Sequence, residues 1–262
     1  MKHFIAELEK SGIQRGVYSP EQTALVMRKL AASFPFENLD VLNRIDNKIT
    51  PEFIIKKILK YRRGGLCYEL NSLLYLVLKE LGFEPSIGIG TVNKEGTWGT
   101  DRTHAIVLLS LGGRKYIADG GFGNKLALHP LELDGNSVTS PAGSFRLRHK
   151  NTEKGSVALE MQNQNGAWDV HYAFDWNPEP WSELERIKQD ILHHPHSAFN
   201  KRPLITNMLK DGTQSINDER LYRKWVDGRE EEIVFKTKDD FLKTIRTLCP
   251  ASIINEAEKV MK

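Results

Sequence analysis

The sequence predicts an α+β protein in three zones. Three observations carry that expectation: apolar residues recur with a period near 3.6 up to Pro85, with a period of 2 beyond it, and in both patterns after residue 200. At roughly 150 residues per domain, 262 residues allow one or two domains and a third only if it is small. The expected boundaries are 1–85 for a helical bundle, 86–200 for an antiparallel β zone and 201–262 for a smaller mixed zone. No internal repeat or low-complexity linker interrupts the chain, so the zones are expected to pack into one body.

Each element has a local reason. Ser19-Pro20-Glu21-Gln22 sets a capping serine and a proline at the first helical position ahead of Ala24, Leu25, Met27 and Leu30. Thr50-Pro51-Glu52 repeats that start before Phe53, Ile54, Ile55 and Ile58. A third helix is predicted from about Cys67 to Leu81, stopped by Gly82. Its apolar residues run nearly all the way round, which marks a central, buried helix. Residues 86–92, 103–110 and 115–118 then read as strands, the last two joined through Leu111-Gly112-Gly113-Arg114. Val157, Leu159 and Met161 alternate with polar neighbours, as do Trp168, Val170, Tyr172 and Phe174, so a small antiparallel sheet or barrel is expected. Ser182 with Glu185 reads as a capping box opening a helix that Pro195 ends. Residues 204–209, Asp211-Gly212 and residues 233–236 read as a hairpin region, and residues 239–248 close the chain as a short amphipathic helix before Pro250.

Composition removes several function classes. Charged residues are 27% and hydrophobic ones 40%, the globular range. The net charge of +3 is too small, and too evenly scattered, to predict nucleic-acid binding. The N-terminal residues carry charges where a signal peptide needs an apolar stretch, and no apolar run approaches a membrane span, so a cytoplasmic protein without a membrane partner is the default expectation. Two cysteines, Cys67 and Cys249, cannot form a disulfide framework and cannot build a zinc site unaided. His193-His194-Pro195-His196 reads as a solvated loop at a helix end rather than a metal cluster, and residues 146–150 alternate like a solvated edge strand. Cys249 reads as ordinary packing.

Cys67 differs from Cys249. Two glycines precede it, allowing a tight turn with close backbone approach, and the helix that follows puts its positive end at the sulfur, which favours a thiolate. On position alone Cys67 also reads as one more small apolar residue of a buried helix. A nucleophile needs a base, and His104 begins a strand while Asp119 ends the next one. A four-residue turn, 110–113, would set His104 directly across from Asp119 with Cβ atoms about 4.5–5.5 Å apart. A two-residue Gly112-Gly113 turn would make them diagonal neighbours. Either register lets the carboxylate orient the imidazole, and Cys, His and Asp together form a nucleophilic set.

These motifs resemble the arylamine N-acetyltransferases. The Arg-Gly-Gly-x-Cys-x-Glu-x-Asn signature is complete at Arg63-Gly64-Gly65-Leu66-Cys67-Tyr68-Glu69-Leu70-Asn71. Pro-Phe-Glu-Asn-Leu stands at residues 35–39, Thr-His at Thr103-His104 and Asp-x-Gly-Phe-Gly at residues 119–123. The resemblance implies a helical bundle, a central antiparallel β-barrel and a C-terminal α/β lid around a Cys-His-Asp core like that of cysteine proteases. It implies catalysis by Cys67, His104 and Asp119, acetyl-CoA as acyl donor, an aromatic amine or hydrazine as acceptor, and no metal. Phe36 and Phe122 would line the acceptor pocket, Thr103 and Gly123 would lie near the acyl donor, and Arg63, Glu69 and Asn71 would brace the cysteine loop. Gly120 departs from the Val or Ala of many relatives, which leaves open how firmly the turn presents Phe122. The same triad can also pass an acyl group to water or to a lysine amine, so a cysteine hydrolase or transglutaminase-like acyltransferase is the alternative, and a non-catalytic coenzyme A or aromatic-ligand binder a third reading.

Overall fold

A computed structural model describes residues 1–262. Its first zone holds α1 (Lys2–Lys10), α2 (Pro20–Ser33), a two-residue strand β1 (Phe36–Glu37), α3 (Leu39–Leu42), α4 (Pro51–Ile54) running on as a π-helical turn (Ile55–Lys60), and α5 (Cys67–Glu80). The caps form as the sequence predicts: the Ser19 hydroxyl accepts the Gln22 N–H at 3.2 Å, and the Thr50 hydroxyl accepts the Phe53 N–H at 3.2 Å. In α5, Cys67 to Leu74 are buried without a break, with Val77 and Leu78, so its apolar circumference does mark a central helix.

The β zone comprises β2 (Ser86–Lys94), β3 (Thr97–Trp98), β4 (His104–Leu111), β5 (Arg114–Ala118), β6 (Leu131–Glu132), β7 (Val138–Ser140), β8 (Gly143–Thr152), β9 (Gly155–Gln162) and β10 (Trp168–Phe174). They form one antiparallel sheet in the order β6-β5-β4-β2-β10-β9-β8-β7, with β3 on β2. A bridge between Leu133 and Leu147 brings the two ends together, so the sheet curls into a nearly closed barrel. Ile106, Leu108, Ile117, Phe145, Leu159, Tyr172 and Phe174 fill one side. On the other face of β4, Ala105, Val107 and Leu109 share a core with α5 and the remaining helices. Both faces of β4 are therefore covered, which is why it reads as a nearly continuous apolar run.

The last zone follows α6 (Ser182–His193) with β11 (Leu204–Leu209), β12 (Gly212–Asn217), β13 (Arg220–Trp225), β14 (Glu230–Val234), α7 (Lys238–Leu248) and α8 (Ala251–Val260). Several expectations are corrected. Ser182 does not cap α6: the cap position is Trp181, whose indole N–H donates to the Ile49 carbonyl at 2.8 Å, and Glu185 accepts the Ile49 N–H instead of closing a capping box. The hairpin region is a four-strand meander, extended by β1 at one edge through Phe36 opposite Thr206 and Glu37 opposite Ile205. Pro250 is not a final stop, because it caps α8, where Ile253 and Ala257 pack on Leu39, Ile205 and Phe241. Residues 146–149 pair with β9 on one side, beyond the part of β8 that β7 covers, and Arg146 and Lys150 both bind the buried Glu160 carboxylate. No helix is long and apolar enough to cross a membrane.

Candidate active site

Cys67 is the first residue of α5, and the chain before it is held by close backbone packing. A Cβ on Gly64 would stand 1.9 Å from the Pro35 carbonyl oxygen, and one on Gly65 would stand 2.5 Å from a Glu69 carboxylate oxygen. Both positions therefore require glycine. The Gly65 N–H donates to the Pro35 carbonyl at 3.3 Å and the Glu37 N–H to the Gly65 carbonyl at 3.0 Å, so residues 35–37 are laced directly to the cysteine loop. The cap residue, Leu66, has no side-chain acceptor to offer. Glu69 reaches back to take the Leu66 N–H at 3.0 Å, and the Leu66 carbonyl takes the Glu69 and Leu70 N–H groups. The N–H groups of Cys67 and Tyr68 are left without an acceptor at the positive end of the helix.

Beneath this loop lies a buried ion cluster. The Lys57 ammonium stands 2.6 Å from Glu69 and 2.9 Å from Asp40, and Arg63 stands 2.6 Å from Asp40 and 2.8 Å from Glu37. Burial opposes the Lys57 charge, but the Glu69 and Asp40 carboxylates outweigh it and hold the ammonium above its usual range. Asp40 is pushed up by burial and pulled down further by Lys57 and Arg63, ending below the ordinary carboxylate range. The cluster ties Arg63 and the first turn of α5 to residues 37–40.

His104 opens β4 and Asp119 follows the last residue of β5. The pairing of Leu111 with Arg114 and of Val107 with Ala118 fixes the two-residue turn, with Gly112 and Gly113 at φ +57° and +77°. The direct cross-strand register is therefore excluded and the diagonal one adopted. The two side chains still meet, because the chain leaves the sheet at Asp119: His104 Nε2 lies 2.8 Å from Asp119 Oδ2. Asp119 receives three further donors. Tyr172 Oη donates to Oδ2 at 3.1 Å, while Asn71 Nδ2 and the Gly121 N–H donate to Oδ1, each at 2.9 Å. Four donors occupy the carboxylate's four acceptor sites.

Burial alone would lower His104, but the charge and hydrogen bond of Asp119, with those of the Cys67 side chain, push it up to about 10. Asp119 is raised by burial and lowered more strongly by His104, Asn71 and the Gly121 N–H, so it stays below the ordinary carboxylate range. Nε2 being committed to Asp119, the other ring nitrogen is the one available to sulfur. The Cys67 thiol also donates to the Thr103 carbonyl at 3.5 Å. Cys67 and His104 are only 5% and 3% exposed, so charge separated between them is largely shielded from water.

Known proteins resemble this chain in sequence and in fold. The profile of a family described as N-acetyltransferase matches residues 22–250. The chain is 31% identical over 218 residues to the Escherichia coli arylamine N-acetyltransferase, covering 81% of this chain and 74% of that one. The chain belongs to the arylamine N-acetyltransferase family. It is also 38% identical over 232 residues to a Bacillus subtilis protein named as an uncharacterized acetyltransferase, covering 87% of this chain and 90% of that protein. The crystal structure of a Bacillus cereus arylamine N-acetyltransferase, described as having a unique Cys-His-Glu catalytic triad, superposes with a TM-score of 0.85 at 31% identity over 95% of this chain and 96% of its own. In the present chain Asp119 is the carboxylate that meets the histidine.

Of the other residues that family resemblance singles out, Phe122 and Thr103 touch His104 and Cys67. The Phe122 ring lies 5.0 Å from His104 and 5.3 Å, edge-on, from Tyr172. Thr103 contributes the carbonyl beside the thiol, its own hydroxyl being bound to Thr100. Phe36 is buried in the helical core with its edge to Phe199. Gly123 takes φ +63°. Gly121 is sterically required, since a Cβ there would lie 2.7 Å from the Cys67 Cα. Gly120 is not: a Cβ would meet Asn71 and Leu74 at an ordinary 3.7 Å, so an Ala would fit, and the turn is held by the Gly120 N–H donating to Asn71 Oδ1 at 2.7 Å. Asn71 thus joins Asp119, the 119–121 turn and, through the Ala105 carbonyl, β4. Two residues escaped the sequence reading. Tyr172 looked like one more inward-facing member of an alternating strand, and only its hydroxyl hinted at a polar partner. Thr206, whose buried hydroxyl has no hydrogen-bond partner, stands 3.8 Å from where a Gly123 Cβ would be.

Proposed function

We propose that this chain is an acetyl-CoA:arylamine N-acetyltransferase of the cytoplasm, in which Cys67 is the nucleophile, His104 the proton carrier and Asp119 the group that orients it. The observation that supports this reading above all is a buried His104, acted on by the Cys67 side chain and bound to an Asp119 carboxylate whose acceptor sites are all occupied. A histidine pushed up to about 10 beside the thiol is a base strong enough to take its proton and make the sulfur the attacking group. The thiolate attacks the acetyl carbonyl of acetyl-CoA. A new C–S bond forms, the bond to the coenzyme A sulfur breaks, and His104 gives its proton to the departing thiolate. An arylamine, arylhydrazine or N-hydroxyarylamine then attacks the acetyl-cysteine. His104 takes the proton of the attacking group as the Cys67 thiolate leaves, restoring the ion pair. The unpaired Cys67 and Tyr68 N–H groups are the donors we assign to the tetrahedral oxyanion.

One thioester replaces another in the first half, so the site supplies an activated nucleophile rather than a driving force. The test is transfer from acetyl-CoA to an aromatic amine by the wild-type protein and by Cys67→Ala and Cys67→Ser. Both variants are expected to lose transfer, and normal rates in either would remove Cys67 from the chemistry. Coenzyme A release at full rate without any acceptor amine would instead make the protein a hydrolase.

A further inference from the structure

The last strand of the five-stranded sheet has no neighbour on its outer side. The sheet runs β1-β11-β12-β13-β14, and of the strands that end a sheet β14 is the longest. Its inner side pairs with β13, with Leu221 opposite Ile233. The Phe235 N–H donates to the Glu219 carbonyl at 2.7 Å and the Trp225 N–H to the Arg229 carbonyl at 2.9 Å, so the odd-numbered residues of 229–235 turn their backbone groups toward β13. By the alternation of an antiparallel ladder, Glu230, Glu232 and Val234 turn theirs outward, to an unpaired edge. The side chains are open to solvent as well, Val234 being 67% and Ile233 46% exposed.

Natural sheets often protect such an edge with charge, and the glutamates of β14 look like that device. They are neutralised within the sheet instead. Glu230, Glu231 and Glu232 stand opposite Lys224, Arg223 and Arg220 and lie 3.1, 2.9 and 2.5 Å from them. Lys236, just beyond the strand, is exposed and forms no ion pair. Two copies of β14 laid antiparallel across a twofold axis must set their outward-facing residues against one another, so even-numbered residues pair with even-numbered ones. Centring on Glu232 would bring two Glu232 side chains together. Centring on Val234 would pair Glu232 with Lys236, whose backbone N–H the Asp240 carboxylate already holds at 3.0 Å. Centring on Ile233 sets Glu232 opposite Val234 with backbone hydrogen bonds exchanged in both directions. It also sets Ile233 against its own copy beside the Leu221 core, and Glu230 opposite Lys236 on both sides of the axis.

We propose that β14 is a homodimer interface, through which a second copy of this chain extends the sheet edge to edge in the register centred on Ile233. The opposite edge of the sheet, β1, is the one laced to the cysteine loop, so the interface is separable from the reaction centre. The test is sedimentation velocity over a range of concentrations for the wild type, Val234→Pro, Lys236→Glu, Glu230→Lys and an equimolar mixture of the last two. The wild type is expected to move with concentration from the 29.9 kDa chain to twice that mass. Val234→Pro removes an outward N–H that β13 does not use, and each charge variant sets like charges together on both sides of the axis. All three are expected to weaken dimerisation about tenfold or more, with near-UV circular dichroism and acetyl transfer unchanged. The mixture is expected to recover the dimer, because each charge variant then meets the charge opposite to its own. That pair carries the test even if the proline disturbs the strand. A wild type that stays monomeric at every concentration overturns the proposal and leaves the edge to a strand of another protein. A dimer that the charge variants leave intact, or that their mixture does not restore, overturns the assignment to β14.

Discussion

Replacing Asp119 by Asn changes few atoms and reverses the logic of the centre. The carboxylate accepts four hydrogen bonds, two at each oxygen. An amide can accept only at its oxygen. If that oxygen faces Asn71 and the Gly121 N–H, the new NH2 faces Tyr172, whose hydroxyl can turn to accept, and His104 Nε2, which must lose its proton to do so. The neutral imidazole then carries its hydrogen on the nitrogen that faces sulfur, where it cannot receive a proton from the thiol. The charge argument points the same way. Holding His104 from its ordinary 6.5 up to about 10, at 1.36 kcal/mol per pH unit, is about 5 kcal/mol in favour of the imidazolium, and without the carboxylate the lowering effect of burial is largely unopposed. Asp119→Asn should therefore lower acetyl transfer by about 10³–10⁴-fold. Alkylation of Cys67 by iodoacetamide at pH 7 should slow as well, its pH profile moving to higher pH, while near-UV circular dichroism stays native. Asp119→Glu, which keeps the charge, should retain more activity than Asp119→Asn. Unchanged alkylation and transfer in correctly folded Asp119→Asn would refute the ion-pair reasoning.

Other consequences follow from the same contacts. Because the folded His104 sits above its unfolded value, the stability it contributes is complete below pH 6.5 and is lost as pH rises through about 10; urea melts at pH 7 and pH 10 should show that loss in wild type and a smaller one in His104→Gln. Lys57→Met leaves Glu69 and Asp40 buried without their shared cation, and should cost about 3–5 kcal/mol in the same assay. Gly120→Ala, by contrast, meets only ordinary contacts at a backbone conformation open to any residue, and should raise stability by about 0.5 kcal/mol with activity retained.

The parts of the site that were legible in the sequence are those fixed by local chemistry. Glycines before Cys67 announce a close approach, and the structure shows the two neighbours that demand it, the Pro35 carbonyl and Glu69. His104 and Asp119 were bound to meet because one short hairpin joins their strands. Even so, the sequence left two registers open, and the left-handed conformation of Gly112 and Gly113 chose the tighter turn. What was hidden depends on long-range pairing. Nothing near Phe36 indicates that it will pair with Thr206, and nothing near Tyr172 indicates that its hydroxyl ends on Asp119. By periodicity alone Lys57, Asp40 and Glu69 look like ordinary surface charges of helical segments, and only the family motifs set Glu37, Arg63 and Glu69 apart. They are buried because each finds its counter-ion on a different element, which no periodicity can reveal.

The central claim is that an acetyl group passes through the Cys67 sulfur. Intact-protein mass spectrometry of the wild type and of Cys67→Ala after brief exposure to acetyl-CoA, before and after addition of an arylamine, tests it most directly. The account predicts a gain of one acetyl group by the wild type only, localised to Cys67 and discharged by the amine as the N-acetyl product appears. An unmodified wild-type protein that still acetylates the amine, or an acetyl group gained equally by Cys67→Ala, would contradict it.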